Sequence, residues 1–163
     1  ARRLGDTVSV PVAASPDFDE NAPVISPDGR WIAYVSDETG EPQVYVRPFP
    51  DVEAGRWQVS NGAGASPLWS RSGRELFFAT LDGLVAATVE TSPSFRVLSL
   101  QSLFRFPAGV QSGVARGWYD VSLDDQRFLM ARPTQFGGED SGNLVELILV
   151  QNFFEELKAR VPR

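Results

Sequence analysis

Residues 23–36 have the sequence PVISPDGRWIAYVS, which joins a tight turn to a strongly apolar strand. Pro27 presets its backbone φ, the Asp28 side chain can bond nearby amides, and Gly29 tolerates a positive φ. The residues after this turn are aromatic and β-branched, with apolar side chains on both faces. A strand that is buried between two neighbouring sheets has this composition. The stretch therefore predicts two strands joined by a turn, with the second strand covered on both sides.

The same pattern occurs twice more along the chain. Residues 67–79 have the sequence PLWSRSGRELFFA, and residues 119–131 have the sequence YDVSLDDQRFLMA. Each copy places a serine after an apolar strand, followed by a turn and a second apolar strand. These serines are Ser26, Ser70 and Ser122, which are 44 and 52 residues apart. A period of about 40–50 residues with several short strands per unit is typical of a β-propeller blade.

We therefore predict an all-β chain of three four-stranded antiparallel β-propeller blades. The repeats assign blade 1 to residues 23–60, blade 2 to 67–106 and blade 3 to 118–150, and a short C-terminal helix to 153–160. Blade 3 has no outer strand of its own, whereas residues 7–12 have a strand-like pattern before blade 1.

Three blades cannot close a ring, because propellers have about four to eight. Two arrangements would cover both ends of the arc. Either the chain is a partial propeller cut from a larger one, or it is half of a six-bladed homodimer with two-fold symmetry. In the dimer, residues 7–12 of each copy would complete the last blade of the other.

Composition excludes several kinds of chemistry. The 163 residues contain no histidine and no cysteine, so Ser-His-Asp catalysis, Cys-His catalysis and imidazole or thiolate metal ligation cannot occur within the chain. The 15 Lys and Arg against 21 Asp and Glu give a net charge of −6, which argues against a general nucleic-acid binder. No apolar run approaches the roughly 18 residues that span a bilayer. We predict no catalytic residue, metal or cofactor, and no contact of this segment with a membrane.

A ligand is expected where the loops from each outer strand to the next inner strand converge on the ring axis. These loops are residues 13–22, 61–66 and 107–117. Their polar side chains suit a peptide, a protein partner or a small ligand. The predicted contact residues are Asp19, Glu20, Asn61 and Arg116.

Other prominent side chains have structural explanations. Asp28 and the pair Asp124–Asp125 fit turn chemistry better than metal binding. Trp31 and Trp69 lie in or beside the inner-strand motifs, so we expect them in the blade core. The acidic stretch at residues 139–143 has oxygen ligands that suit Ca²⁺, but not the spacing of a calcium loop.

The repeat resembles that of the TolB-like β-propeller family, which is related to WD-repeat proteins. Residues 25–34, ISPDGRWIAY, are a close match to its blade motif, and the second and third copies depart from it with RSG and LDDQ. A second resemblance is to the C-terminal end of the propeller attached to bacterial membrane-anchored serine/threonine protein kinases. Its residues are 44–50 (VYVRPFP), 55–60 (GRWQVS), 69–78 (WSRSGRELFF) and 155–162 (EELKARVP).

The kinase resemblance implies a non-catalytic sensor or scaffold module that lies across the membrane from the kinase, in an extracytoplasmic compartment. The chain itself carries none of the kinase motifs. Two alternatives stay open. The chain could be the propeller of a prolyl-oligopeptidase-like serine peptidase without its catalytic domain, or a structural half-propeller whose role is self-association.

Overall fold

The computed structural model describes residues 16–106, 118–134 and 144–151. Within these ranges the chain forms eleven β-strands in three antiparallel sheets and one 3₁₀ turn, Val52–Ala54. Sheet 1 contains, in spatial order, β1 (Glu20–Ile25), β2 (Trp31–Ser36), β3 (Gln43–Pro48) and β4 (Trp57–Gln58). Sheet 2 contains β5 (Ala65–Trp69), β6 (Glu75–Ala79), β7 (Gly83–Glu90) and β8 (Arg96–Arg105). Sheet 3 contains β9 (Tyr119–Val121), β10 (Arg127–Thr134) and β11 (Leu144–Gln151).

The predicted all-β fold with antiparallel sheets is confirmed. Sheet 3 has three strands among the described residues, and the outer strand predicted at 7–12 and the helix predicted at 153–160 lie outside them. No helix in the described ranges has the length and apolar character that crossing a bilayer requires.

A shared set of hydrogen bonds explains why the three copies of the repeat adopt the same turn. In each copy the serine side-chain oxygen accepts a hydrogen bond from the backbone N–H five residues later, which starts the next strand. The three bonds run from Trp31 to Ser26 at 3.0 Å, from Glu75 to Ser70 at 3.1 Å and from Arg127 to Ser122 at 3.0 Å. The serine therefore links the two strands that flank the turn.

The turn also requires one residue with left-handed backbone geometry. Gly29 and Gly73 occupy that place with φ of 72° and 68°. The third copy has Asp125 there, with φ of 56°, and aspartate is one of the few side chains that tolerate this region. The prediction that Asp28 and Asp124 make turns is confirmed, because each carboxylate accepts a bond from the serine hydroxyl of its own turn.

Two apolar clusters hold the sheets together. The first lies between sheets 1 and 2 and the second lies between sheets 2 and 3. Strand β6 contributes to both, because successive side chains point to opposite faces of a strand: Leu76 and Phe78 join the first cluster, and Phe77 joins the second. Trp31 and Trp69 are 7% and 4% exposed within the first cluster, which confirms their predicted place in the core.

Hydrogen bonds between the inner strands complete the packing. The Tyr119 hydroxyl donates to the Ser66 carbonyl at 2.6 Å, and Trp118 Nε1 donates to Ser66 Oγ at 2.9 Å. Trp69 Nε1 donates to the Val24 carbonyl at 3.3 Å. These bonds join β9 to β5 and β5 to β1, so the inner strands of successive sheets lie side by side.

Candidate functional site

Two loops meet at the turn between β2 and β3, residues 37–42. The backbone N–H of Asp19 donates to Asp37 Oδ1 at 2.8 Å. On the other side of the turn, the backbone N–H of Gly64 donates to the Pro42 carbonyl at 2.8 Å. The segment that leads into β1 and the crossover between β4 and β5 therefore border the same turn, at one end of sheet 1.

Glu20 has an unusual environment at this end of the sheet. It is the first residue of β1 and lies opposite Ser36 of β2. Its Oε2 atom is buried and has no hydrogen-bond partner among the described residues. A buried carboxylate oxygen without a partner is costly. The Glu20 side chain as a whole is only partly buried, so a rotation of the carboxylate would let this oxygen accept a bond from a donor outside the described structure.

The other predicted contact residues differ in their surroundings. Asp19 and Asn61 are both exposed, and no hydrogen bond joins the Asn61 side chain to another described residue. The backbone next to Asn61 is nevertheless held in place, because buried Ser60 accepts a hydrogen bond from the Val44 N–H at 3.0 Å. Arg116 lies outside the described residues, so three of the four predicted residues can be placed.

A stacked pair of tyrosines covered by arginines lies on the face of sheet 1 that points away from sheet 2. Tyr34 and Tyr45 are opposite each other in the β2–β3 ladder, with ring centroids 5.9 Å apart. Arg47 donates through Nε to the Tyr34 hydroxyl at 2.9 Å, and the Arg56 guanidinium lies 5.0 Å from the centre of the Tyr45 ring. Glu38 in the β2–β3 turn pairs with Arg56. We call these five residues the tyrosine–arginine array.

The array keeps its hydroxyl groups protonated. Burial raises the pKa of Tyr34, and the hydrogen bond from Arg47 opposes that rise in part. Burial also raises the pKa of Tyr45, and the nearby Glu38 carboxylate adds to the effect. Glu20 lies opposite Ser36, two residues after Tyr34 on β2, and its charge adds to the rise in the pKa of Tyr34. The array therefore lies near Glu20.

The sequence pattern does not predict the tyrosine–arginine array. The tyrosines were contained in correctly predicted strands, and opposite places in an antiparallel hairpin could have paired them. The arginine over Tyr45 comes from residue 56, which has no periodic relation to the hairpin. The hydroxyl, amide and carboxylate groups at this end of sheet 1 can donate and accept hydrogen bonds, which suits the recognition of a ligand. The described residues contain no group of three or more carboxylates placed to hold a metal ion.

No known protein family and no curated protein matches this chain. Solved structures do resemble it. An oligogalacturonate lyase from Vibrio parahaemolyticus is 16% identical with a TM-score of 0.54, over 78% of this chain and 35% of the lyase. An oligogalacturonate lyase in complex with manganese is 15% identical with a TM-score of 0.53, over 72% of this chain and 31% of the lyase. TolB from Acinetobacter baumannii is 16% identical with a TM-score of 0.41, over 86% of this chain and 42% of TolB.

The two lyase alignments show the fold. The lyases are β-propeller proteins, so the three sheets of this chain have a β-propeller arrangement. The chain spans about a third of the length of each lyase. At this level of identity the likeness concerns the fold alone, and the activity of the lyases is a property of those enzymes.

Proposed function

We propose that this chain is a non-catalytic β-propeller module that binds a protein or peptide partner at the end of sheet 1 formed by Asp19, Glu20 and Asn61. Arg116, from the next crossover, is proposed as a fourth contact. The partner is a polypeptide with amide or cationic donors, because the available groups are two carboxylates and an amide. The module needs no cofactor or metal for this role.

The buried oxygen of Glu20 is the observation that carries the proposal. Elsewhere in the described chain, exposed turn carboxylates such as Asp28 and Asp124 are occupied by bonds within their own turns. Glu20 Oε2 has no such bond, while Asn61, in the crossover that borders the same turn, is exposed. A donor from a bound partner would satisfy the carboxylate, and removing a buried acceptor of this kind commonly changes affinity about tenfold or more.

Selection of a displayed random peptide library on the 163-residue chain tests the proposal. Peptides that bind are then measured against a variant carrying Asp19→Asn, Glu20→Gln and Asn61→Ala. We expect a loss of about tenfold or more in affinity. The matched control is Asp51→Asn with Glu53→Gln, which neutralises two exposed carboxylates on the β3–β4 connection. Equal binding by the site variant and the control would refute the site.

The wider setting that we propose is a larger bacterial protein of the receptor-like serine/threonine kinase type, in which this module is extracytoplasmic. The support is the sequence resemblance of residues 44–50, 55–60, 69–78 and 155–162. The complete reading frame that encodes the chain tests it: kinase motifs upstream would support it. A serine hydrolase domain downstream would instead support the peptidase alternative.

Self-association is the third candidate role. A six-bladed homodimer needs an open face at both ends of the three-sheet arc. The end face of sheet 3 does expose leucines, whereas Tyr34 and Tyr45 on the end face of sheet 1 are buried. The closed ring stays a prediction, and the mass of the chain in solution tests it.

A further inference from the structure

Among the described residues, β11 is an outer edge of sheet 3, and it differs there from the other sheet edges. Edge strands of soluble proteins avoid pairing with other chains by being short, bulged or charged. Strand β4 has two residues, and β8 shifts register against β7 at two places. On the inner side, β1 and β5 each carry a bulge and β9 has three residues. Each of these five edges therefore has one of the protective features.

Strand β11 is neither short nor bulged, and it carries a single charged side chain. All eight of its residues pair with β10 in one continuous register without a bulge. Residues 144–151 have the sequence LVELILVQ, with one charged side chain and no proline. That charge, Glu146, is paired with Arg132 on the neighbouring strand. A long, regular and apolar edge of this kind is a template for another strand.

Several leucine side chains on and beside this edge are exposed on one face of sheet 3. Leu147 and Leu149 are 66% and 56% exposed, and Leu129 opposite Leu149 is 42% exposed. On the other face, Ile148 and Val150 are only partly buried against the second apolar cluster. In sheet 2 the fourth strand supplies Leu103 to that same cluster at 4% exposure. Sheet 3 lacks the corresponding contribution among the described residues.

We propose that β11 pairs antiparallel with β11 of a second copy of this chain, so that two sheets 3 join into one continuous six-stranded sheet. The strand is self-complementary when Ile148 lies opposite its own counterpart. Leu147 then lies opposite Leu149 of the other copy on the same face, and no two like charges face each other. Directly opposite apolar pairs are the stabilising unit of such a ladder.

The symmetry of the contact explains why it closes at two copies. The same surface of each copy makes the interface, so the dimer uses up both edges and leaves none for a third chain. The pairing also buries the exposed leucines, which removes the apolar patch from water. This dimer is independent of the proposed peptide site and differs from a closed ring, since it uses the edge of one sheet.

Analytical ultracentrifugation of the chain over a concentration series tests the proposal. We expect the mass to rise with concentration from 17.9 kDa to twice that value and no further. The double variant Leu147→Lys, Leu149→Lys should stay monomeric, because lysine on an edge strand opposes pairing. Leu98→Lys is the control, since Leu98 is 59% exposed on edge strand β8, and it should still dimerise. Circular dichroism and thermal unfolding confirm that all three fold.

Cysteine trapping tests the register. The natural chain has no cysteine, so any disulfide must come from the introduced residues. Leu147→Cys and Leu149→Cys should crosslink efficiently when the two variants are mixed, because opposite Cβ atoms lie about 4.5–5.5 Å apart. Each variant alone should crosslink poorly, since its own counterparts lie diagonally about 7–8 Å apart.

A wild-type chain that stays monomeric at all concentrations would overturn the proposal. A dimer that the two lysines leave intact would overturn it as well, because another surface must then form it. Equal crosslinking by either cysteine variant alone would overturn the register. None of these results bears on peptide binding by Asp19, Glu20 and Asn61, so the two proposals can fail separately.

Discussion

Replacing each of the three repeat serines by alanine measures how much the same hydrogen bond contributes to the free energy of unfolding at three different levels of burial. Ser26 and Ser70 are 5% and 0% exposed, whereas the bond made by Ser122 is exposed to solvent. A buried donor that loses its acceptor costs about 1–3 kcal/mol, while water replaces the lost partner at an exposed site and reduces the loss to about 0.5–1 kcal/mol. We therefore expect Ser26→Ala and Ser70→Ala to destabilise the fold more than Ser122→Ala.

Urea unfolding followed by tryptophan fluorescence measures the difference. With a denaturant slope of about 1–3 kcal/mol per M, the two buried changes should lower the midpoint by roughly 1 M. Ser122→Ala should lower it by a few tenths of that. The slope itself should stay constant, because none of these changes alters the surface exposed on unfolding.

Two results would contradict the expected order of destabilisation. One is an equal loss for all three variants, which would mean that burial does not govern the cost of the bond. The other is a larger loss at Ser122 than at Ser26, which would mean that the third copy of the turn is more buried than the structure has it.

Three further changes test separate contacts. Tyr119→Phe should lower the free energy of unfolding in urea by about 0.5–1.5 kcal/mol, because it removes the hydrogen bond that the buried hydroxyl donates to the Ser66 carbonyl. Burial raises the pKa of the Tyr119 hydroxyl, so the free energy of unfolding of the wild type should fall as pH rises above about 10. The difference in stability between wild type and Tyr119→Phe should therefore close at high pH. A difference that stays constant would argue against a buried hydroxyl. Gly83→Ala should lower the free energy of unfolding by about 1–3 kcal/mol or more in the same assay, because a Cβ at Gly83 would lie 2.1 Å from the Phe104 carbonyl oxygen. A neutral change would contradict the β7–β8 pairing. Burial raises the pKa of Asp28, but hydrogen bonds from Ser26 and Arg30 outweigh this effect and lower the pKa below 3.8. Asp28→Asn should therefore lower the free energy of unfolding by less than about 1 kcal/mol at neutral pH. That difference in stability should vanish as acid protonates Asp28 below pH 3.8. A difference that persists in acid would contradict the role of the charged carboxylate in the turn.

The strands that flank the repeat turn could be predicted from sequence because their pattern is locally determined. β2 and β6 have the bounds that their apolar composition predicts, Trp31–Ser36 and Glu75–Ala79. The starts of the inner strands could not be predicted. Ala22 and Ser66 have φ of 50° and 51° at bulges in β1 and β5, and this breaks the alternation that marks a strand. β1 therefore begins at Glu20, three residues before residue 23, where the repeat places the start of blade 1.

The order of the strands shows from sequence which loops lie near one another, whereas the side-chain contacts around the proposed site do not follow from the sequence. The crossover loops could be located from the order of the strands, and the segments that carry Asp19 and Asn61 do border one turn. Neither the buried oxygen of Glu20 nor the arginine above Tyr45 follows from sequence, because each depends on how distant segments pack. Arg56 reaches Glu38 and Tyr45 across the sheet, and no periodic pattern encodes such a contact.

Nuclear Overhauser contacts between aromatic rings of different sheets directly test whether the three sheets pack in a β-propeller arrangement. In a β-propeller arrangement of three packed sheets, the Phe77 and Phe128 rings lie 5.0 Å apart and the Trp31 and Phe95 rings lie 5.4 Å apart. We expect both contacts in the folded 163-residue chain. The first reports the packing of sheet 2 against sheet 3, and the second reports the packing of sheet 1 against sheet 2. A folded chain that shows neither contact would contradict the propeller arrangement.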